Sequence, residues 1–315
     1  MARTKAQASH VTPTIISSGN GRAALPAGIR ILDRGGSALD AVEACARIVE
    51  ADPRDATVGY GGLPNVLGVV ELDASIVDGT THAAGAVAAL GGFMHPITVA
   101  RAVMEQLPHV MLVGEGAARF AREIGAEAAD LLTESARGAW VERLAGVGHT
   151  PASIAKSTVL APIVLEMVKE QGTVNFIAID RQGNMASAVS TSGWGYKYPG
   201  RVGDSPIIGA GHYSDSRYGG AACTGFGELA MRNVTTRTAV DRLSRGASAA
   251  AVAEEAIADA NGLASHGSRL NIVVLSANGD HAAATTRQNV RYAYQTTRMT
   301  RPAVKLRTVV RWRSA

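Results

Sequence analysis

Residues 173–192 read TVNFIAIDRQGNMASAVSTS, and this stretch decides the fold class. It begins with a run of apolar and β-branched residues. After a polar break at residues 181–184, a second run of small and apolar residues follows. A Gly-Asn pair between two such runs is typical of a β-hairpin. Residues 270–286, LNIVVLSANGDHAAATT, repeat the pattern around a break at 277–280. We therefore predict two antiparallel strand pairs in the second half of the chain.

Helical and strand patterns surround these hairpins. Segment 38–50 carries apolar residues three and four positions apart, and Ser37 is placed to cap it. Further helices are predicted at 22–32, 96–106, 227–243 and 247–260, and further strands at 14–18, 68–72, 73–78 and 85–90. Strands grouped in hairpins with helices grouped between them argue against a parallel sheet. They predict an α+β fold of antiparallel sheets covered by helices.

The composition excludes several classes of protein. The 315 residues are 46% hydrophobic and 18% charged, which excludes general disorder. The net charge is +4 without a run of Lys or Arg, so a nucleic-acid partner is not expected. Cys45 and Cys223 lie far apart, and the eight histidines form no metal-ligand spacing, so we expect neither a disulfide framework nor a metal or other cofactor.

An expected cellular location also follows from the sequence. No apolar run approaches the roughly 18 residues of a membrane span, and the first residues show no apolar core of a secretory signal. We therefore expect no membrane partner. With two reduced thiols as the default, we predict a cytoplasmic protein.

The segment at about 123–172 differs from the rest of the chain. It is rich in Ala, Gly and Ser, carries scattered charge and has weak periodicity. These features predict a helix followed by an exposed, poorly ordered connector. The connector ends at Gly172, and Thr173 opens the first strand of the hairpin.

A Gly-Thr junction between a connector and a buried strand suits one particular chemistry. In some hydrolases the nucleophile becomes a new N-terminus when the chain is cut. A Thr hydroxyl is a weak nucleophile unless a base takes its proton, and the α-amine of an N-terminal Thr, with a pKa near 8, can be that base. A Gly-Thr pair by itself is common, so the residues downstream must decide between this chemistry and an ordinary strand start.

Motifs on both sides of this junction resemble a known family. The chain contains, in order, GGSALDAVEACARIVEADPRDATVGYGGLPN, LDASIVDG, GAVAAL, HPITVARAVME, HVMLVGEGAARFA, STSGWGYKYPGRVGDSPIIGAGHYSD and AACTGFGE. This series is similar to the N-terminal-nucleophile hydrolases of the aspartylglucosaminidase family, which includes plant-type asparaginases and isoaspartyl peptidases. The resemblance extends from about residue 35 to about residue 279.

The resemblance implies a fold and an activity. The fold would be a four-layer αββα sandwich of two antiparallel sheets between helices. The chain would cut itself between Gly172 and Thr173, giving an alpha subunit, 1–172, and a beta subunit, 173–315, within one structural domain. Two such pairs would form a dimer of heterodimers. The enzyme would hydrolyse the side-chain amide of β-aspartyl substrates through an ester on Thr173.

Roles for individual residues follow from the matching motifs. Thr173 matches the nucleophile, and Thr191 matches the Thr that bonds and tunes it. Arg201 and Asp204 match the pair that grips the α-carboxylate and α-amino group of the substrate, an arrangement that complements a zwitterion. The oxyanion-hole residues of the family correspond to Thr224 and Gly225 in this chain.

Three positions differ from the family pattern and leave alternatives open. Gly172 stands where the glycosylasparaginase branch usually has an acidic residue, and Asn175 stands where the family usually has Gly. Residues 17–21, SSGNG, lack the Trp that glycosylasparaginases carry near the substrate. An isoaspartyl dipeptidase or L-asparaginase is therefore the first alternative. The second is an uncut, inactive homologue that binds amino-acid-like ligands.

Overall fold

Local sequence patterns account for most elements of the α+β structure. The computed structural model describes residues 11–169, 172–264 and 269–311. The strands are β1 (Thr14–Ser18), β2 (Leu72–Asp78), β3 (Ala84–Leu90), β4 (Met111–Val113), β5 (Val174–Ile179), β6 (Met185–Thr191), β7 (His212–Asp215), β8 (Gly219–Gly225), β9 (Leu270–Ser276), β10 (His281–Thr285), β11 (Arg291–Thr296), β12 (Ala303–Leu306) and β13 (Thr308–Val309). The helices are α1 (Leu25–Asp33), α2 (Ala38–Glu50), α3 (Pro96–Gln106), α4 (Gly114–Glu123), α5 (Glu134–Ala145), α6 (Pro151–Ala155), α7 (Ala161–Met167), α8 (Gly227–Asn233), α9 (Thr235–Ser244) and α10 (Ala249–Gly262), with a short 3₁₀ helix at Gly19–Ala23.

The strands form two sheets within the described residues. One has eight strands in the order β12-β11-β1-β5-β6-β2-β3-β4, and the other has five in the order β13-β10-β9-β8-β7. Both predicted hairpins are present, as β5–β6 and β9–β10. The pairs are antiparallel except at one edge of each sheet, where β3–β4 and β10–β13 are parallel.

The hydrophobic contacts arrange these elements in four layers. Helices α1–α4 pack on the outer face of the larger sheet, and α8–α10 pack on the outer face of the smaller one. Between the sheets, Ile177 and Val189 of the larger sheet join Ala222 and Val273 of the smaller one in a buried cluster. Two facing sheets between helices confirm the predicted fold class.

The predicted poorly ordered connector is wrong for most of its length. Residues 134–167 contain the three helices α5, α6 and α7 rather than irregular chain. Trp140, Leu144, Ile154 and Met167 are buried together against Leu63 and Val66. Helices α6 and α7 are only five and seven residues long, and α5 has little segregation of its apolar residues to one face, so the sequence pattern is weak. Burial of these four side chains orders the segment.

Other differences concern strands and helix ends. Residues 68–71 precede β2 without forming the predicted separate strand. The helix predicted at 227–243 is divided into α8 and α9 at Val234, whose φ of 47° is left-handed. Strands β4, β7, β8, β11, β12 and β13 were not predicted, because their residues do not show a strong alternating pattern. Among the described helices, each is too short or too polar to reach across a bilayer.

Candidate active site

The predicted site residues lie at one end of the sandwich, where strands of both sheets end. Thr173 immediately precedes β5, and Thr191 is the last residue of the neighbouring strand β6. Gly225 ends β8 in the facing sheet. The sheet topology thus brings together, at one end of the sandwich, residues that are up to 52 positions apart in the sequence.

The Thr173 hydroxyl is buried and hydrogen-bonded. It donates to Thr191 Oγ1 over 3.3 Å. The backbone N–H of Gly193 donates to the same Thr191 oxygen at 2.9 Å. With both lone pairs of Thr191 Oγ1 occupied, its own proton points toward the Gly172 carbonyl at 3.2 Å or the Thr57 carbonyl at 3.3 Å. Thr191 therefore connects the Thr173 hydroxyl with the carbonyl of the preceding peptide bond.

A loop from the first half of the chain supports Thr191. The Thr57 carbonyl also accepts the N–H of Ser192 at 2.9 Å, which pins the end of β6. The Thr57 backbone N–H and hydroxyl both donate to Asp55 Oδ1, at 2.9 and 2.5 Å. Asn20 donates to Asp55 Oδ2 at 2.9 Å. Local sequence patterns do not indicate this support, because it depends on contacts between distant segments.

Arg201 is held in one orientation by an acidic and an aromatic neighbour. Its Nε and Nη2 both donate to Glu228 Oε1, at 3.0 and 2.6 Å. Its guanidinium lies over the Trp194 ring, 4.8 Å from the centroid, and Trp194 packs against Phe226 at 5.1 Å. Nη1 lies over Gly203, where a Cβ would be 2.9 Å away. The Nη1–Nη2 edge remains for a carboxylate, which guanidinium binds with two parallel hydrogen bonds.

Asp204 is buried close to this guanidinium. Burial raises its pKa to about 6, although Arg201 acts in the opposite direction. Within the described part of the chain, Asp204 Oδ2 has no hydrogen-bond partner. A Cβ on Gly227 would lie 2.4 Å from Asp204 Oδ1, so glycine is required there for the carboxyl to fit. An unpaired buried carboxylate oxygen is costly, and a cationic ligand group would compensate it.

Lys197 fixes the loop that carries Arg201. The side chain is almost fully buried, and its Nζ donates to the carbonyls of Glu71 at 3.0 Å and Ser192 at 3.1 Å. Burial lowers the Lys197 pKa. A Cβ on Gly193, whose φ is 71°, would lie 2.9 Å from Nζ. Lys197 was not among the predicted site residues, and the only signal for it in the sequence is its place in a Gly-rich segment between Thr191 and Arg201.

Thr224 and Gly225 are the last two residues of β8, an interior strand of the smaller sheet. Gly225 has a φ of 109°, and a Cβ there would be 1.8 Å from the Arg269 carbonyl oxygen. The Thr224 hydroxyl accepts a hydrogen bond from Asn271 Nδ2 at 3.1 Å. The geometry thus requires glycine at one of the two predicted oxyanion residues and fixes the hydroxyl of the other.

Asn175 connects the two sheets beside the site. Its Oδ1 accepts the Ser18 N–H at 2.9 Å, and its Nδ2 donates to the Cys223 carbonyl at 3.2 Å. Its backbone N–H donates to Ser18 Oγ at 3.2 Å. The side chain is fully buried. Where the family pattern has Gly, this chain therefore has a polar bridge from β1 to the strand that carries Thr224.

One small cavity collects most of the predicted residues. It holds about 10 Å³ and is lined by Gly172, Thr173, Thr191, Gly193, Trp194, Arg201, Gly203, Asp204, Ser205 and Gly225. Thr224 adjoins this set without lining the cavity. In the described ranges no group of three or more His, Cys, Asp or Glu side chains is arranged to hold a metal ion.

Comparison with known proteins gives a consistent result. The family model described as Asparaginase matches residues 10–304. The chain is 44% identical over 228 residues to the N(4)-(β-N-acetylglucosaminyl)-L-asparaginase of Elizabethkingia miricola, covering 72% of this chain and 63% of that protein. It is 39% identical to the isoaspartyl peptidase/L-asparaginase of Mus musculus, covering 74% and 68%. It is 38% identical to the plant-type L-asparaginase of Pyrococcus furiosus, covering 89% and 90%.

The coverage differs among these relatives. The match spans less than two thirds of the bacterial glycosylasparaginase, but nine tenths of the archaeal asparaginase. All three relatives are named as asparaginases, and the mouse protein is also named as an isoaspartyl peptidase.

Proposed function

Because this chain belongs to the asparaginase family, we propose that it is a self-processing threonine amidohydrolase. Its substrates would be β-aspartyl amides, with N4-(β-N-acetylglucosaminyl)-L-asparagine as the type. The observation that carries the proposal is the buried Thr173 hydroxyl, hydrogen-bonded to Thr191 in one cavity with Arg201 and Asp204.

Self-cutting would begin with attack of Thr173 Oγ1 on the carbonyl carbon of Gly172. The C–N bond between the two residues breaks, the nitrogen takes up a proton as the new α-amine, and water then hydrolyses the ester. Thr191 is suited to assist, because the Gly172 carbonyl oxygen, where negative charge develops, is one of the two acceptors within reach of its proton. Gly172 lines the cavity, and 10 Å³ holds about one water molecule, so the departure of residue 172 would make room for substrate.

The two products would remain one folded unit. Strands β1 and β2 precede the junction, yet they pair directly with β5 and β6 from beyond it. Separation of 1–172 from 173–315 would expose these strand edges and the shared core. We propose that the pair stays together and that two pairs form a dimer of heterodimers.

Hydrolysis of substrate would reuse the same groups. The free α-amine of Thr173 takes the hydroxyl proton, and Oγ1 attacks the side-chain carbonyl of the β-aspartyl group. The amine or ammonia leaves with a proton, and water hydrolyses the aspartyl ester. In this scheme Thr224 and Gly225 donate to the oxyanion of both steps. Arg201 binds the α-carboxylate, and Asp204 binds the α-ammonium group.

The names of the relatives are divided between two enzyme classes, glycosylasparaginases and isoaspartyl peptidases or asparaginases, which release different leaving groups. An isoaspartyl dipeptidase or L-asparaginase is supported by the names of the mouse and archaeal relatives and by the missing Trp in residues 17–21. The free, buried Cys45 and Cys223 fit our proposal that the protein acts in the reducing cytoplasm.

The purified protein itself provides the test of this function. We expect fragments of about 18 and about 15 kDa, in proportion to their lengths, and the smaller should begin Thr-Val-Asn-Phe. Release of ammonia, amino acid or glucosaminyl amine from asparagine, β-aspartyl dipeptides and N-acetylglucosaminyl-asparagine then ranks the leaving groups. A chain that stays intact after long incubation, or that is cut elsewhere, contradicts the proposal and favours the inactive binding protein.

The pKa of Asp204 predicts a pH dependence of ligand binding. The carboxyl, with its pKa raised to about 6, is mostly ionised at pH 7 and mostly protonated at pH 5. Because the ionised form binds the α-ammonium group, the affinity of the cut protein for L-aspartate should fall about tenfold between these values. Calorimetric titration measures this change. Asp204→Asn should bind weakly at both pH values, and an unchanged wild-type affinity would exclude Asp204 as the ammonium partner.

A further inference from the structure

The Thr224 hydroxyl is the end point of a series of hydrogen bonds that reaches back into strand β10. Asn271 lies opposite Thr224 in the β8–β9 pair. Its Nδ2 donates both to Thr224 Oγ1 at 3.1 Å and to the Thr224 carbonyl at 3.3 Å. Its Oδ1 accepts the hydroxyl of Thr285 at 2.6 Å, and the N–H of Arg287 donates to that hydroxyl oxygen at 3.1 Å.

The direction of this series is fixed at both ends. A backbone carbonyl can only accept, so the side of the Asn271 amide that faces Thr224 must be the NH₂ group. A backbone N–H can only donate, so Thr285 Oγ1 accepts from Arg287 and uses its own proton for Asn271 Oδ1. With either end reversed, two acceptors or two donors would face each other, and leaving a buried polar group unpaired in this way is costly.

This direction determines what the Thr224 hydroxyl can do. Because its oxygen accepts from Asn271, its proton cannot point toward that amide and is available for another acceptor. We propose that Asn271 and Thr285 are positioning residues that aim the Thr224 proton at the oxyanion of the acyl-transfer steps. This inference rests on the proposed function and adds two residues that the family motifs did not indicate. A hydroxyl already oriented in this way needs no reorganisation during the reaction.

The test reverses the acceptor and donor character at one position. In Asn271→Asp the shape is kept, but an ionised carboxylate can only accept, so the Thr224 proton would turn toward it and away from the oxyanion. We expect kcat of the cut protein on a β-aspartyl amide to fall about 100-fold, with KM within about twofold, as for loss of one oxyanion donor. Thr285→Val should cause a smaller loss of kcat, because the Asn271 amide loses the group that fixes it.

A pH series separates positioning from a general structural effect. A protonated carboxyl can donate as the amide does, so the activity of Asn271→Asp relative to wild type should rise as the pH is lowered. Asn278→Asp is the matched control, since Asn278 is exposed in the turn of the same hairpin and its Oδ1 accepts from Ser276 Oγ and the Asp280 N–H, which a carboxylate can also do. It adds the same charge and should retain wild-type kcat. The fraction of cut chain and the thermal unfolding of each variant are measured in parallel.

The outcomes are distinct. Three results for Asn271→Asp would overturn the positioning role of Asn271 and leave the proposed function in place. These are a wild-type kcat, a change in KM without a change in kcat, and a reduced kcat whose ratio to wild type does not change with pH. If the wild-type protein hydrolyses no β-aspartyl amide, the proposed function and this inference are both overturned.

Discussion

Replacing Thr173 with alanine should give a chain that stays at its full length and hydrolyses no β-aspartyl substrate. Both reactions need the same Oγ1 atom, first to attack the Gly172 carbonyl and then to attack the substrate. Loss of a nucleophile lowers activity by about 10⁴-fold or more in comparable hydrolases. A denaturing gel shows the missing cut, and an amidase assay shows the missing turnover.

Two further variants refine the result. Thr173→Ser keeps the hydroxyl and loses the methyl group that restricts its rotamer, so it should still cut and should hydrolyse more slowly. Thr81→Ala removes an exposed hydroxyl in the β2–β3 turn and should behave as wild type. A Thr173→Ala protein that is fully cut, or that retains wild-type amidase activity, would assign the nucleophile to another residue.

A methyl group at Gly225 should damage both activity and stability. The added Cβ would lie 1.8 Å from the Arg269 carbonyl oxygen, a backbone atom that cannot move without opening the β8–β9 pair. The φ of 109° adds strain of its own for an L residue. Displacing the Gly225 N–H from the proposed oxyanion hole should lower kcat about 100-fold to 1,000-fold. Turnover of the cut protein and thermal unfolding measure the two effects.

Gly246→Ala is the matched control for this variant. Gly246 has a similar positive φ, 89°, but a Cβ there would meet no atom within 4 Å. It should lose about 1 kcal/mol of stability through the backbone conformation and keep full activity. If Gly225→Ala is no worse than Gly246→Ala, the backbone contact with Arg269 does not constrain the site.

Local sequence patterns correctly predicted the elements whose periodicity, caps and turn residues all indicate the same structure. Strand β1, helix α3 and the two hairpins lie where their periodicity and turn residues placed them. Helix α2 also begins after the predicted cap, where the Ser37 hydroxyl accepts the Asp40 N–H. In each case neighbours within a few positions supply the signal, so no tertiary contact is needed to recognise it.

Strand β8 shows where such patterns fail. Its sequence, GGAACTG, has almost no β-branched or aromatic residues, and nothing local favours an extended chain. It is a strand because β7 and β9 pair with it and because its alanines fill the narrow space under the helices and between the sheets. Since β8 carries Thr224 and Gly225, its position also decides where two of the six proposed site residues lie.

The sequence by itself determined the two hairpins, the fold class and, through its motifs, the identity of the expected site residues from Thr173 to Gly225. The tertiary structure alone decided how those residues are presented: Glu228 and Trp194 orient Arg201, burial raises the pKa of Asp204, and Asn271 turns the Thr224 hydroxyl. The physical reason is the range of the interactions. Periodicity and turn chemistry act over a few residues. Hydrogen-bond direction and desolvation depend on partners that only the packed sheets bring together.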